Sequence, residues 1–299
     1  MSEYHIPALL EETIEGLAVK ANGVYVDVTY GGGGHSRAIL ELLREGRLIG
    51  FDQDKDALEN GIEDDRFLLV NHNFRFIRNF LSYYEIDKVD GILADLGVSS
   101  HHFNKAERGF SFRFEGPLDM RMNTESGQTA EDIINEYDKK QLLKVFQVYG
   151  EIDRAGRMVQ LIMNAREAKH ISSIQQFLEV IEPCTPKKNE SKFLAKVFQG
   201  LRIEVNHEID VLIDLLNNSV RILKEGGRFA IITYHSLEDR LVKNFFRSGN
   251  IEGKLDKDVF GNANVPFRVV NRKVIIPGDD EIRNNNRIRS AKLRIAERI

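Results

Sequence analysis

Two carboxylates and a run of glycines carry the chemistry that can be read from this 299-residue chain. Gly31, Gly32, Gly33 and Gly34 follow Val24-Tyr-Val-Asp-Val, whose alternating β-branched residues suit a short strand. His35 and Ser36 then lead into Arg-Ala-Ile-Leu-Glu-Leu-Leu, which has helical spacing. Glycines at such a turn let the backbone approach a ligand, and the helix start beyond them offers unpaired N–H groups to an anion. Asp52 ends the next apolar run, about 20 residues on, where a carboxylate hydrogen-bonds ribose hydroxyls in nucleotide-binding folds. The strict dinucleotide spacing is half met, because Ser36 stands where the third glycine would be. A dinucleotide and S-adenosylmethionine both remain open on these residues, since both present a ribose. Asp95 closes a second apolar run, Val89 to Ala94. A carboxyl there must find hydrogen-bond partners or hold its proton to higher pH. It could accept from a substrate amine or a cofactor group, or cap a turn.

Further candidates stand beside these. Phe74 follows a third apolar run and could stack on an adenine ring, or serve as core. Arg108, Phe110, Phe112, Arg113, Phe114 and Arg121 interleave guanidinium groups with aromatic rings, as single-stranded RNA platforms do. Their alternative role is to pin a loop to its core. Cys184 follows Pro183, as in the nucleophile motif of cytosine C5 methyltransferases, but in a helical stretch remote from any strand end, so it is read as incidental. No Walker sequence, His-Glu-x-x-His or nucleophile elbow is present, and no metal site is expected.

The elements that must position these residues alternate. Ile6 to Leu17 reads as an amphipathic helix with proline in its first turn. Strands are expected at Val24–Val28, Arg47–Asp52, Phe67–Phe74 and Val89–Asp95, with a helix starting at Asp52 to Leu58. Strands alternating with helices predict a doubly wound parallel α/β sheet. From Glu107 to Met122 periodicity is lost and a long loop is expected. Thr129-x-x-Asp132, Asp138-x-x-Gln141 and Ser172-x-x-Gln175 resemble capping boxes. These place an inserted helical domain at 103–206 between two sheet segments, 1–102 and 207–299. Glu208–Lys224 reads as a helix stopped by Gly226-Gly227, followed by a buried strand from Arg228 and a helix capped by Ser236. Phe267–Ile276 and Ser290–Ile299 read as closing strands around a polar loop, Asp279–Arg289. The polar strand-end segments Gly31–His35, Asp52, Asn71–Phe74, Asp95–His102 and Tyr234–Glu238 all fall where α/β sheets bind ligands.

Composition sets the outer bounds. Hydrophobic residues make 42% and charged residues 29%, ordinary for a globular chain long enough to bury a full core. The net charge of −4 argues against a generally basic nucleic-acid binder. It is uneven, however: nine Lys/Arg and four Asp/Glu from Phe267 onward leave +5 there and −9 elsewhere. The single cysteine excludes an internal disulfide and thiolate zinc clusters. With no apolar run near 18 residues and no signal pattern, a cytoplasmic location without membrane contact is expected.

Taken together, seven motifs resemble the RsmH (MraW) family of small-subunit rRNA cytosine-N4 methyltransferases along essentially the whole chain. They are His5-Ile-Pro-Ala-Leu-Leu-Glu, Asp27-Val-Thr-Tyr-Gly-Gly-Gly-Gly-His-Ser36, Asp95-Leu-Gly-Val-Ser-Ser100, Glu107-Arg-Gly-Phe-Ser-Phe112, Pro117-Leu-Asp-Met-Arg-Met122, Leu201-Arg-Ile-Glu-Val-Asn206 and Tyr234-His-Ser-Leu-Glu-Asp-Arg240. The resemblance implies a class I, Rossmann-like fold with an inserted helical domain. It implies S-adenosylmethionine as cofactor, contacted by Gly33, Gly34, His35, Asp52, Phe74 and Asp95. It implies methylation of a decoding-site cytosine of 16S rRNA in the small subunit. From their place at the end of the fourth strand, Asp95 or the Leu96–Ser99 backbone is expected to align the amine. His102 stands where the family commonly has a cofactor-binding glutamine; one imidazole can donate or accept, not both, when neutral. A homodimer is an open option. Two other readings are kept: a non-catalytic RNA-binding assembly factor with a cofactor pocket, and an NAD-dependent oxidoreductase, for which no Tyr-x-x-x-Lys pair is found.

Overall fold

In the computed structural model, residues 7–257, 260–261 and 263–299 are described, with Ser100 by its backbone alone. His5 and Ile6 of the N-terminal motif lie outside the described residues. In chain order the elements are α1 (Leu10–Leu17), β1 (Val24–Asp27), α2 (Gly34–Leu42), β2 (Arg47–Asp52), β3 (Phe67–Asn71), α3 (Ile77–Tyr83) and β4 (Val89–Asp95). Next come α4 (Ser100–Asn104), α5 (Ala130–Glu136), α6 (Lys139–Leu143), α7 (Ala155–Ala168), α8 (Ile174–Ile181) and α9 (Glu190–Val205). The chain closes with α10 (Glu208–Ile222), β5 (Leu223–Thr233), α11 (Ser236–Ser248), β6 (Phe267–Val269), α12 (Asp279–Asn284) and β7 (Lys292–Arg298). It divides into two compact units: residues up to Gly97 with Ile209–Ile299, and Val98–Glu208.

The first unit is mixed α/β, as the alternation predicts. Its sheet has the order β3-β2-β1-β4-β5-β7-β6. The strands from β3 to β5 run parallel, while β7 is antiparallel to both β5 and β6. Alternate strand residues serve opposite faces, because the side-chain period of a strand is two. Val26, Ile49, Ile92 and Ile231 meet Leu81, Leu215 and Phe245 from α3, α10 and α11. Tyr25, Leu48, Leu93 and Ile232 meet Leu17, Ile39 and Leu40 from α1 and α2. Helices on both faces explain why these strands read as nearly continuous apolar runs.

The second unit packs its own helices around Phe146, Val159, Ile162, Phe177 and Leu201. The Thr129 and Asp138 capping boxes form as expected, each side chain accepting an N–H three residues on. Such a cap is worth about 1 kcal/mol. The irregular segment Glu107–Met122 is anchored by buried Phe110, Leu118 and Met120.

Several local expectations are corrected. Gly226-Gly227 do not end a helix: α10 stops at Ile222, and the glycines lie in β5, where the pairing register jumps from Val89↔Leu223 to Gly91↔Arg228. The cap of α8 is Ser173, one residue beyond Ser172. The cap of α11 is His235, with Glu238 closing the box, so Ser236 is the first helical residue. After Asp52 the chain makes a 3₁₀ turn over Lys55–Asn60, not an α-helix. The first closing strand is only Phe267–Val269, and the expected polar loop contains α12 and a 3₁₀ turn over Asn286–Ser290.

Candidate functional site

The strand order reverses between β1 and β4, where α/β sheets open a crevice beyond the carboxyl ends of their strands. Asp27, Asp52, Asp95 and Tyr234 stand at the ends of β1, β2, β4 and β5, all within the first unit.

Asp27 organises the glycine turn. Its carboxylate accepts from the Thr29 N–H at 3.1 Å and from the Ser36 hydroxyl at 2.7 Å, tying β1 to the first turn of α2. Burial pushes its pKa up, opposed by those hydrogen bonds. Gly33 sits at φ 74°, a left-handed conformation that favours glycine, and a Cβ there would strike the Tyr30 ring. A Cβ on Gly34 would fall against Pro7. Both glycines therefore have steric reasons to lack side chains. Asp52 grips the same turn from β2: Oδ2 accepts from the Gly31 N–H and Oδ1 from the Asp54 N–H, each at 2.8 Å. Phe74 is half-buried against the core of the first unit.

His35 is buried, and its Nε2 lies 3.1 Å from the Ala8 carbonyl oxygen. A carbonyl only accepts, so Nε2 carries the hydrogen. Desolvation lowers the His35 pKa to about 4, leaving the ring neutral near pH 7 with a lone pair on Nδ1. That nitrogen is 3.9 Å from Asp95 Oδ2.

Asp95 keeps 23% of its side chain open. Its backbone N–H donates to Thr29 Oγ1 at 2.6 Å, and Oδ1 accepts from the Tyr234 hydroxyl at 2.8 Å. Desolvation pushes its pKa up to about 7; the Tyr234 bond opposes this, while the charges of Asp27 and Glu238 reinforce it. The outcome is a carboxyl that exchanges its proton near neutrality, a property concentrated at functional sites. Tyr234 is itself held by its backbone N–H, which donates to Glu238 Oε2 at 2.9 Å. Burial and the neighbouring Asp95 carboxylate raise its own pKa well above the usual value, so it remains a donor.

Sequence reasoning put Asp27 and Tyr234 inside motifs without giving either a role. Their signal was position, a polar residue directly at the end of a buried strand. The remaining candidates belong to the second unit. His102 is buried, its Nδ1 accepting from the Ser99 N–H at 3.2 Å and its ring 4.8 Å from that of Phe110. Arg108 is also buried and donates to the carbonyls of Arg121 and Met122, so its charge is used inside the loop rather than on a surface. Phe110 is core, and Phe112 packs edge-on to Phe198. Arg121 pairs with Asp119 at 2.8 Å. Arg113 and Phe114 are exposed. Asn206, unremarked in the sequence except as part of a motif, clamps the loop by donating to Met120 O and accepting from Met122 N, each at 2.8 Å. Cys184 is a half-buried free thiol in this unit.

Comparison with known proteins gives a consistent result. The profile described as the MraW methylase family matches residues 2–299. A protein of Parabacteroides distasonis named ribosomal RNA small subunit methyltransferase H is 57% identical over 298 residues, 99% of this chain and 98% of its own. Proteins of the same name from Bacteroides thetaiotaomicron and Christiangramia forsetii are 54% and 52% identical, covering 99% and 100% of this chain and 97% and 99% of theirs.

Proposed function

This chain belongs to the MraW methylase family, and on that premise we propose that it is an S-adenosylmethionine-dependent methyltransferase of small-subunit rRNA. Its target is N4 of a P-site cytosine of 16S rRNA, cytosine 1402 in conventional numbering. The observation that carries the reading is 57% identity, over 99% of the chain, to a protein named for rRNA methylation.

The residues at the strand ends fit that cofactor. Asp52 offers a carboxylate for a ribose diol, and the first turn of α2 offers backbone N–H groups for a carboxylate. Bound S-adenosylmethionine supplies a methyl on a positively charged sulfur, which leaves as a neutral thioether when a nucleophile takes the methyl.

The chain's part is positioning and proton management. The exocyclic nitrogen of cytosine is delocalised into its ring, so it attacks well only if a hydrogen is drawn from it. Asp95, ionised above about pH 7, accepts that N–H and takes the proton the nitrogen sheds. Turnover therefore rises as pH passes through about 7. The cytosine must be unstacked to reach the site. The helical unit, with exposed Arg113 and Phe114, grips rRNA structure, and the enzyme works in the cytoplasm.

Nucleoside mass spectrometry of 16S rRNA, from cells with and without this gene, tests the reading. N4-methylcytosine should disappear on deletion and return with the wild-type gene. Equal amounts in both strains would overturn it.

A further inference from the structure

The Asp95 carboxylate has two oxygens in different circumstances. Oδ1 is taken by the Tyr234 hydroxyl at 2.8 Å. Oδ2 faces the lone pair on His35 Nδ1 across 3.9 Å, too far for a hydrogen bond between them. A single donor nitrogen beside the pair, at about 2.9 Å from each acceptor, would direct one hydrogen to each of them. An amino group is such a donor. Each of the three residues is anchored: the Asp95 backbone N–H donates to Thr29 Oγ1, the His35 ring Nε2 to Ala8 O, and the Tyr234 backbone N–H to Glu238.

We propose that Tyr234 is a positioning residue, whose hydroxyl pins one oxygen of Asp95 so that the other, with His35 Nδ1, forms an acceptor pair for the amino group being methylated. This rests on the reading above, that the acceptor is an exocyclic amine. The proton released when the nitrogen gains its methyl passes to Asp95 Oδ2. Tyr234 does not touch the reacting atoms; it fixes which oxygen is free and favours the ionised carboxylate over the acid.

The groups that face Asp95 are Asp27 from the end of β1, His35 from α2, and Tyr234 and Glu238 from the end of β5 and from α11. Asp27 and Glu238 push its proton affinity up, His35 is neutral, and Tyr234 alone among the side chains pulls it down. Glu281 on α12 adds to the charges felt by Tyr234, keeping it protonated.

Tyr234→Phe removes the hydroxyl and keeps the ring. Single-turnover methyl transfer to small subunits from cells lacking the gene, at saturating S-adenosylmethionine, is followed from about pH 5 to about pH 9 (a window of about two units either side of neutrality). The acid limb should move to higher pH by about one to two units, the loss expected for one hydrogen bond to a charged acceptor. Cofactor affinity by calorimetry should stay near wild type. A ring that merely packs would lower the rate at every pH and leave the limb in place. Should Tyr234→Phe fail to fold, 3-fluorotyrosine at position 234 keeps the shape and donates more strongly, and the limb should move the other way. An unmoved limb in the folded variants overturns the proposal.

The same titration is read without activity from the Asp95 carboxyl carbon in protein labelled with carbon-13 aspartate. It should shift in step with the limb. Wild-type protein that transfers no methyl to cytosine N4 defeats the functional reading; an Asp95 titration indifferent to the Tyr234 hydroxyl defeats this one.

Discussion

Asp95 ties the site's proton chemistry to the stability of the protein. Its folded pKa of about 7 lies above the ordinary 3.8, so the native state holds a proton that the unfolded chain releases. The favourable contribution is complete below the ordinary value and is lost as pH rises through about 7. Above that, the buried anion is a cost on the order of a few kcal/mol. His35 runs the other way: with its folded pKa lowered to about 4, its contribution is full above the ordinary 6.5 and is lost as pH falls toward 4. Asp27, also raised, acts with Asp95. Asp95→Asn removes the anion and keeps an acceptor for Tyr234. The melting temperature of Asp95→Asn should exceed wild type at pH 8 and match it at pH 4, by calorimetry at both. An equal melting temperature at pH 8 would show that the wild-type carboxylate is not strained by burial. Methyl transfer should fall by at least about 10²-fold in the same variant, since an amide cannot take the proton.

At the scale of elements, close backbone approach is what the second unit depends on. Gly200 in the middle of α9 faces the π-helical stretch Lys144–Tyr149 that follows α6. A Cβ at Gly200 would lie 2.6 Å from the Val145 carbonyl oxygen and 3.0 Å from the Gly150 nitrogen, both main-chain atoms that cannot rotate away. Gly200→Ala would gain helix propensity of about 1 kcal/mol but pay overpacking of about 1–3 kcal/mol. A lower melting temperature is expected, with faster amide exchange in α9 and the π-helical stretch and unchanged exchange in β1 and β4. Unchanged exchange in α9 would refute the close-packing account. Legibility varied at this scale. The capping boxes at Thr129 and Asp138 were readable because such a box involves residues three apart. The cap at His235 was missed because an imidazole is an uncommon cap and Ser236 is a common one.

For the whole molecule, each core cluster is confined to one unit. The two clusters on the faces of the sheet use residues up to Leu96 and from Leu212 onward, and the helical cluster uses residues between Val98 and Val205. The sheet unit thus has two core clusters to which the insert contributes no residue. A variant in which 103–206 is replaced by a short flexible linker should bind S-adenosylmethionine by calorimetry and fail to methylate small subunits. Full methylation by that variant would remove the insert from substrate recognition. No helix among the described residues is long and apolar enough to cross a membrane.

The sequence by itself determined whatever depends on neighbours a few residues apart. That includes the strands β1, β2 and β4, the glycine turn, the carboxylates at strand ends, two of the helix caps and the helical character of the insert. Alternation and turn chemistry act locally, so they are written locally. Only the tertiary structure decided that β7 enters between β5 and β6, that the glycines at 226 and 227 mark a register jump inside β5, and that Arg108 spends its charge within a loop. It also joined Tyr234 to Asp95, 139 residues apart, and Asn206 to Met120 and Met122. Such pairings follow from which strands lie side by side and in what register. A hydrogen bond across that separation leaves no local pattern in either segment, and it exists only once the sheet has set both strand ends against each other.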